Sequence, residues 1–204
     1  MIKKRVIQLG CFDQPKVGWE NYDITPHIFI SRIPLLPLLL FKLNIIDEKR
    51  LNQHRLDIFK KVKYLNLNKR LPFQDNSIDA YFSSHVFEHL FLNNVQNLLR
   101  EIYRTLKTGG VVRTVLPDLS KIIYLYSEEN PNEFLEALFE NNNSKNYKNF
   151  HKWMYTPLSF SRELELAGFS KDKIKITSYK KSNYSIFDNM DNRPSNSFYI
   201  ESQK

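Results

Sequence analysis

The sequence predicts a doubly wound α/β domain, in which helices cover both faces of a mostly parallel sheet. The main observation is that residues 71–118 read as turn, buried strand, helix, glycine turn and buried strand. Two parallel strands joined by a crossover helix form a right-handed unit. A second observation lies near the start, where the apolar run 5–10 ends in glycine and residues 19–24 carry an acid near their end. Such strand ends face the ligand in nucleotide-binding α/β folds.

Each element of the 71–118 stretch follows from its residue pattern. Asp75-Asn76-Ser77 breaks the chain, and the apolar run 78–83 predicts a short buried strand. The pair Gly109-Gly110 is predicted to end the next helix, ahead of a strand over 111–116. That helix, over 93–107, is indicated by apolar side chains at helical spacing, namely Val95, Leu98, Leu99, Ile102, Tyr103 and Leu106.

The rest of the chain supplies the remaining elements. Apolar runs predict further strands over 62–67, 174–179 and 197–202, and helices are predicted after Leu119 and up to Gly168. Residues 49–61 are rich in Lys, Arg, Gln and His, which predicts an exposed helix. The polar stretch 141–149 is predicted to be an excursion rather than a domain boundary.

Composition predicts one domain spanning residues 1–204. The chain has 204 residues, of which 42% are apolar, and no Pro-, Gly- or Ser-rich linker divides it. A single cysteine, Cys11, and the lack of an N-terminal signal segment predict a cytoplasmic protein. The net charge of +8 has two interpretations: it favours anionic partners, or it reflects a basic surface that is simply solvated. No basic cluster interleaves with aromatic residues, so no specific nucleic-acid partner is predicted.

Residues 28–46 are the most apolar part of the chain. Arg32, Pro34, Pro37 and Lys42 interrupt this segment, so it is too short to span a bilayer. One interpretation is a surface, peripheral to the inner face of a membrane, that contacts lipid or a lipid-linked substrate. The other is a segment that covers the sheet or a homodimer interface.

The motifs LP-F-DNS-D, an EH pair and LK-GG follow one another across residues 71–118. In this order they resemble the fourth strand to fifth strand of class I S-adenosylmethionine-dependent methyltransferases. The resemblance implies a Rossmann-like sheet of seven strands, mostly parallel, with an antiparallel final strand. Gly10-Cys11, Gly18-Trp19, Asn21 and Asp23 resemble a small branch associated with surface-polysaccharide gene clusters, as does the Asp-Asn-Arg triplet at 191–193. Residues 25–60 fall outside the resemblance as a variable insertion.

The resemblance implies that S-adenosylmethionine is the cofactor and indicates the residues that would bind it. Asp23 would accept hydrogen bonds from the ribose, and Asn66 stands where an acid commonly receives the adenine amino group. Phe12 replaces a glycine of the branch, which either blocks the site or leaves the neighbouring backbone available. The full predicted set is Gly10, Cys11, Phe12, Asp23, Asn66, Leu67, Ser84 and His85.

Three residues are candidates for catalysis. His85 would accept a proton from a sugar hydroxyl, Asp118 would position or deprotonate the acceptor, and His151 would line the acceptor site. Each also has a structural alternative. His85 could be a histidine bonded to a backbone carbonyl, Asp118 a helix cap, and His151 a residue at the rim of a packed segment. His85 and His89 would share a helical face in a helix starting near Ser84, but no third ligand is evident, so no metal is predicted.

These observations predict a methyltransferase, an enzyme that transfers a methyl group to a hydroxyl of a saccharide or glycan precursor. The polysaccharide acceptor rests on the branch alone. An alternative from another class is an inactive methyltransferase-like scaffold or partner-binding subunit of the same pathway, which Phe12 and Asn66 favour. A nucleic-acid methyltransferase is the third interpretation, and it lacks a motif for an extruded base.

Overall fold

A computed structural model describes residues 4–139 and 150–204, and the predicted polar excursion 141–149 lies outside them. Seven strands form one sheet in the order β3-β2-β1-β4-β5-β7-β6. The pairs β1–β2, β2–β3 and β4–β5 are parallel, whereas β7 is antiparallel to both β5 and β6. The predicted mixed sheet with an antiparallel final strand is confirmed. The strands are β1 (Val6–Leu9), β2 (Glu20–Asp23), β3 (Val62–Tyr64), β4 (Ile78–Ser84), β5 (Leu106–Pro117), β6 (Ile174–Thr177) and β7 (Ser197–Gln203).

Helices connect the strands. In chain order they are α1 (His27–Ile30), α2 (Leu36–Lys42), α3 (Glu48–Arg55), α4 (Leu92–Thr105), α5 (Leu119–Ile123), α6 (Asn132–Phe139) and α7 (Pro157–Ala167). Short 3-10 turns lie at Phe59–Lys61, Phe87–His89, Lys171–Lys173 and Ser185–Phe187. Helix α4 buries the predicted face, including Val95, Leu99 and Ile102. Helix α7 is capped by Gly168, whose φ of 113° is typical of a glycine cap.

The chain divides into two compact units, Met1–Asn66 and Leu67–Lys204. The first unit contains β1 to β3 with α1 to α3, and its core includes Cys11, Ile28 and Val62. The second unit contains β4 to β7 with α4 to α7. An aromatic cluster in the second unit centres on Phe160, whose ring lies 5.1 Å from Tyr155 and 5.3 Å from Phe87 between ring centroids.

The predicted role of Gly109-Gly110 as the end of the α4 helix is wrong. Helix α4 ends at Thr105, and Leu106 is already extended and pairs with Ile78 of β4. The glycine pair lies inside β5, where the β4–β5 register shifts between Ile78 and Ala80. Gly109 has a φ of 78°, and a Cβ on Gly110 would lie 2.8 Å from the Lys107 carbonyl oxygen. The pair therefore allows a local irregularity in the strand rather than a helix cap.

The predicted exposed helix over 49–61 is only partly correct. Helix α3 covers Glu48–Arg55, capped by Asp47, whose Oδ1 accepts a bond of 2.7 Å from the Arg50 N–H. Its inner face buries Leu51 and His54, and Phe59 in the following 3-10 turn is fully buried. The charged residues therefore occupy one face of the segment, while the other packs in the first unit.

The apolar 28–46 segment forms α1, α2 and their connections. Only Ile28 and Ser31 fall in the buried class between residues 28 and 46, and α2 buries none of its residues. The exposed apolar side chains are Phe29, Ile33, Leu35, Leu38, Leu39, Leu43 and Ile45, here called the apolar patch. Among the described residues, no helix is both long and apolar enough to cross a membrane.

Candidate functional site

The loop after β1 holds the first predicted cofactor residues, in the first unit. Gly10 has a φ of 64°, which lets the chain turn at the strand end. The N–H groups of Gly10 and Cys11 both donate to the Tyr22 carbonyl, at 2.8 and 3.2 Å. These N–H groups therefore join the loop to β2, and within the loop the Cys11 carbonyl accepts the Gln14 N–H at 2.8 Å. Burial raises the pKa of the Cys11 thiol, as does nearby Asp23, so this cysteine is a packing residue.

Phe12 adopts a left-handed backbone conformation in this loop. Its φ is 43°, in the left-handed region that glycine adopts most readily. Its ring lies under the Arg50 guanidinium, 4.6 Å from the carbon Cζ to the ring centroid, and 6.3 Å from the Phe59 ring. Arg50 is held in turn by Asp13, at 3.2 Å. The aromatic ring thus has packing partners in α3 and the turn that follows, which the sequence did not reveal.

Asp23 at the end of β2 holds this loop through two backbone hydrogen bonds. The Phe12 N–H donates to Oδ2 at 2.9 Å, and the Thr25 N–H donates to Oδ1 at 2.8 Å. An ionised carboxylate has about four lone-pair positions on its two oxygens, so each oxygen retains capacity for another donor. The half-buried Asp23 can therefore accept ribose hydroxyls while it holds the loop.

Asn66 and Leu67 follow the third strand at a turn. Strand β3 ends at Tyr64, earlier than predicted. The next residue still bonds the neighbouring strand, because the Leu65 N–H donates to the Asp23 carbonyl at 2.9 Å. Asn66 and Leu67 are both half-buried, and Asn66 is the last residue of the first unit. Their proposed contacts with adenine stay predictions.

In the second unit, Ser84 and His85 lie at the carboxyl end of β4. The predicted helix starting near Ser84 is wrong, because His85 has a φ of 54° and only the single 3-10 turn Phe87–His89 follows. The next helix, α4, begins at Leu92. Ser84 Oγ donates to Asn192 Oδ1 at 2.8 Å, which gives the predicted 191–193 triplet a contact with the strand end.

The His85 imidazole lies between a carboxylate and a hydroxyl. Its Nδ1 is 3.3 Å from Glu88 Oε1, and its Nε2 is 2.9 Å from Ser197 Oγ. The Ser197 hydroxyl also donates to the Ser195 carbonyl at 3.2 Å, so the histidine and a backbone carbonyl share this hydroxyl. The His85 side chain is 20% exposed, whereas that of Glu88 is 1% exposed. A half-buried histidine beside a buried carboxylate has the residue types of a general-base pair, and the catalytic role of His85 stays a prediction.

Asp118 follows β5 and caps α5. Its Oδ1 accepts a bond of 3.0 Å from the Ser120 N–H, and its own N–H donates to the Asn196 carbonyl at 2.8 Å. The predicted capping role is therefore observed. Asp118 is buried and forms an isolated bridge with Tyr155, so it joins α5 to the segment before α7.

His151 lies beside Glu88 and His89 in the second unit. The Lys152 N–H donates to the Glu88 carbonyl at 2.7 Å, so the chain after residue 150 is held against the 3-10 turn. The His89 and His151 ring centroids are 5.3 Å apart. Their separation along the chain gives no periodic signal, so the meeting of these three residues could not be predicted from the sequence.

Arg113 forms a buried ionic network that was not predicted from the sequence. Its Nη2 is 2.6 Å from Asp191 Oδ2 and its Nη1 is 2.6 Å from Glu201 Oε1, with all three side chains at most 1% exposed. Burial alone would lower the pKa of Arg113, but the hydrogen bonds and charges of Asp191 and Glu201 raise it overall. A lone arginine inside the apolar run VVRTVL is the signal that predicts buried acidic partners.

Comparison with known proteins agrees with this fold. Residues 44–114, about a third of the chain, match the family model described as "Methyltransferase domain". A SAM-dependent methyltransferase from Thermotoga maritima, described as a possible histamine N-methyltransferase, matches with a TM-score of 0.53 and 16% identity over 100% of this chain and 84% of its own. One from Archaeoglobus fulgidus has a TM-score of 0.56 and 14% identity over 100% of this chain and 87% of its own. One from Mesorhizobium loti has a TM-score of 0.53 and 15% identity over 99% of this chain and 91% of its own.

At these identities the solved structures establish the fold, and the family model adds the methyltransferase domain. Fold and family model together support an S-adenosylmethionine-dependent methyltransferase, with S-adenosylmethionine as its cofactor. The positive φ of Gly10 and Phe12 and the remaining acceptor capacity of Asp23 fit that cofactor in the first unit. The polysaccharide branch and the methyl acceptor stay predictions.

Proposed function

We propose that this protein is an O-methyltransferase whose acceptor is a hydroxyl group of a saccharide or glycan precursor. The observation that carries the proposal is the His85 imidazole, which has Glu88 on one nitrogen and a hydroxyl, that of Ser197, 2.9 Å from the other. A sugar hydroxyl is a weak nucleophile, so removal of its proton helps the transfer. The saccharide itself is inferred from the branch that the sequence resembles.

S-adenosylmethionine, when bound, supplies a methyl carbon attached to a positively charged sulfur. His85 Nε2 would take the proton of the acceptor hydroxyl, and the acceptor oxygen would receive the methyl group, with the demethylated cofactor as the leaving group. Glu88 keeps the His85 imidazole oriented and stabilises its positive charge. His85 then releases the proton to water, so that one proton leaves for each methyl group transferred. Positioning of the acceptor contributes most of the rate enhancement, since the displacement needs an in-line approach.

Cofactor binding by the first unit is proposed to use the loop after β1 and Asp23. The loop's carbonyl oxygens would accept from the cofactor's ammonium group, and Asp23 would accept from the ribose hydroxyls. The Phe12 ring packs on Arg50 and Phe59, which favours a loop that binds cofactor over one that is blocked. Asn66 and Leu67 are the candidates for adenine contacts, as the resemblance implies.

The proposal is tested by calorimetric titration of the protein with S-adenosylmethionine and with its demethylated product. We expect micromolar binding, little change in Phe12→Gly, and a weakening of roughly tenfold or more in Asp23→Asn, since a bond to a charged group contributes about 1.5–3 kcal/mol. Transfer of a labelled methyl group to sugar nucleotides and oligosaccharides then identifies the acceptor.

Two outcomes would contradict the proposal. If the folded protein binds no cofactor and Phe12→Gly restores binding, the ring blocks the site and the inactive-scaffold alternative holds. If cofactor binds but the methyl group passes to amines or nucleic acid and to no hydroxyl, the proposed acceptor class is wrong.

We also propose that the apolar patch brings the enzyme to a membrane surface that carries a lipid-linked acceptor. Its side chains are exposed, with Leu35 at 77% and Ile45 at 64%, and Arg32 and Lys42 lie in the same segment. An apolar surface flanked by cations is typical of proteins that lie on anionic membranes. A homodimer interface at the same patch is the competing interpretation.

A further inference from the structure

We propose that Glu88, His89 and His151 form a binding site for a divalent transition-metal ion in the second unit. One candidate ligand atom of each residue lies within 4.8 Å of the other two. Two imidazoles and one carboxylate are the protein ligands of zinc sites that keep a fourth position open. The same donors suit other first-row divalent ions, whereas Mg²⁺ and Ca²⁺ prefer oxygen ligands.

The spacing of the three ligand atoms is close to what an ion needs. With metal–nitrogen bonds of about 2.0–2.1 Å, two ligand atoms on a tetrahedral ion lie about 3.3 Å apart. The upper limit of 4.8 Å therefore exceeds the ideal by about 1.5 Å. Both histidines are half-buried, and an ion bound here would require their side chains to rotate toward Glu88.

Backbone hydrogen bonds hold the two chain segments of the site together. Glu88 and His89 belong to the 3-10 turn after β4, and His151 precedes α7. The Lys152 N–H donates to the Glu88 carbonyl at 2.7 Å, and the Trp153 N–H lies 3.3 Å from the same oxygen. The third ligand, which the sequence spacing did not provide, is thus fixed by tertiary structure.

Neighbouring groups orient the ligands as they do in established metal sites. His151 Nδ1 lies 3.0 Å from the Leu138 carbonyl, which only accepts, so the proton is on Nδ1 and Nε2 carries the lone pair. A ligand histidine that donates its other N–H to a carbonyl is the usual arrangement around bound metals. His85 lies 3.3 Å from Oε1 of Glu88, and a carboxylate has enough lone pairs to serve both His85 and an ion.

Burial gives an electrostatic reason for a cation at this position. Glu88 is fully buried, at 0% exposure, and buried charged groups in proteins are paired or coordinate metal ions. The open ligand position would take the acceptor hydroxyl and lower its pKa, so that His85 removes the proton more easily. This last role rests on the proposed function, whereas the metal site does not.

The test is binding of Zn²⁺ and Co²⁺ to untagged, metal-free protein without cofactor or acceptor. We expect one Zn²⁺ per chain by calorimetry, visible ligand-field absorption with Co²⁺, and a rise in melting temperature with Zn²⁺. Glu88→Gln, His89→Gln and His151→Gln should each weaken binding by more than about 100-fold, because loss of a merely orienting group already costs about 10- to 100-fold. His27→Gln, a histidine in the first unit, should bind like the unchanged protein.

Circular dichroism establishes whether each variant is folded. If a histidine variant is unfolded, Glu88→Gln still tests the site, because glutamine has nearly the same shape as glutamate. The proposal is overturned if the unchanged protein binds neither ion, or if the three variants bind as tightly as His27→Gln. Because these measurements need no turnover, a protein that binds metal but transfers no methyl group would refute the proposed function and leave the metal site intact.

Discussion

Two candidate site residues adopt a backbone conformation that side chains rarely take. Phe12 has a φ of 43° and His85 a φ of 54°. Left-handed backbone in residues other than glycine is uncommon, and such strain often accompanies function. Phe12 is supported by the Asp23 carboxylate, and His85 by its N–H, which donates to the Val115 carbonyl at 2.9 Å. At this scale, the position of the imidazole depends on one unusual dihedral angle.

His85→Asn tests the proposed general base. Asparagine tolerates the left-handed region well, so the backbone should be retained while the imidazole is lost. We expect kcat to fall by about 10²- to 10⁴-fold, the usual contribution of general-base catalysis, with cofactor affinity changed less than twofold. Methyl-transfer assays measure kcat, and calorimetric titration measures the cofactor affinity.

His27→Asn is the matched control, because it changes the same residue type in the first unit. The base assignment is refuted if His85→Asn keeps full turnover. It is also refuted if turnover falls only in proportion to cofactor affinity, since His85 would then act in binding.

At the scale of elements, Arg113 joins three segments of the second unit. It lies on β5 and bonds Glu201 on β7, Thr177 at the end of β6 and Asp191 ahead of β7. Asp191 also accepts the Lys180 N–H at 2.7 Å. The strands at this edge are therefore tied to residues 180–191 by a network around one guanidinium, which explains why an arginine occupies an otherwise apolar strand.

Arg113→Met should destabilise the protein strongly. It leaves Asp191 and Glu201 buried without their cation, and breaking a buried ion pair costs about 3–5 kcal/mol. Urea unfolding followed by tryptophan fluorescence and circular dichroism measures the free energy of unfolding. Lys63→Met is the control, since Lys63 is 61% exposed beside Glu20 and a surface pair contributes about 0–1 kcal/mol. Equal effects of the two substitutions would contradict the assignment.

At the scale of the whole molecule, a net charge of +8 accompanies the exposed apolar patch. Both features favour an anionic, partly apolar surface as a partner. Binding to such a surface combines burial of the patch with attraction between cations and lipid phosphates, and salt weakens only the second contribution.

We expect the protein to sediment with vesicles that contain phosphatidylglycerol, and less with phosphatidylcholine alone or in high salt. Leu35→Asp with Leu39→Asp should reduce the bound fraction severalfold, because charged side chains cannot enter the lipid. Leu166→Asp is the control, since Leu166 is 64% exposed in the second unit. A dimer in analytical ultracentrifugation that the patch substitutions dissociate, without vesicle binding, would favour the homodimer interpretation instead.

The sequence by itself determined the order of the seven strands along the chain, and its resemblance to methyltransferases indicated the mixed sheet and the class of protein. Those features depend on local patterns: apolar runs for β4 and β5, helical spacing along α4, and motifs whose order is read directly from the chain. Element ends were less determined. The Gly109-Gly110 pair carried a local signal for a helix end, but the chain there pairs with β4 instead. The residues after Ser84 carried a signal for a helix start, but the left-handed backbone of His85 prevents one.

Only the tertiary structure decided which side chains meet. Glu88 and His151 lie far apart in sequence, as do Arg113 and Asp191, and no periodicity relates them. Contacts between distant residues depend on how strands and helices pack, and packing is a property of the folded chain rather than of any window of sequence. The sequence could therefore name the candidates for catalysis, but the grouping of Glu88, His89 and His151 emerged only from the fold.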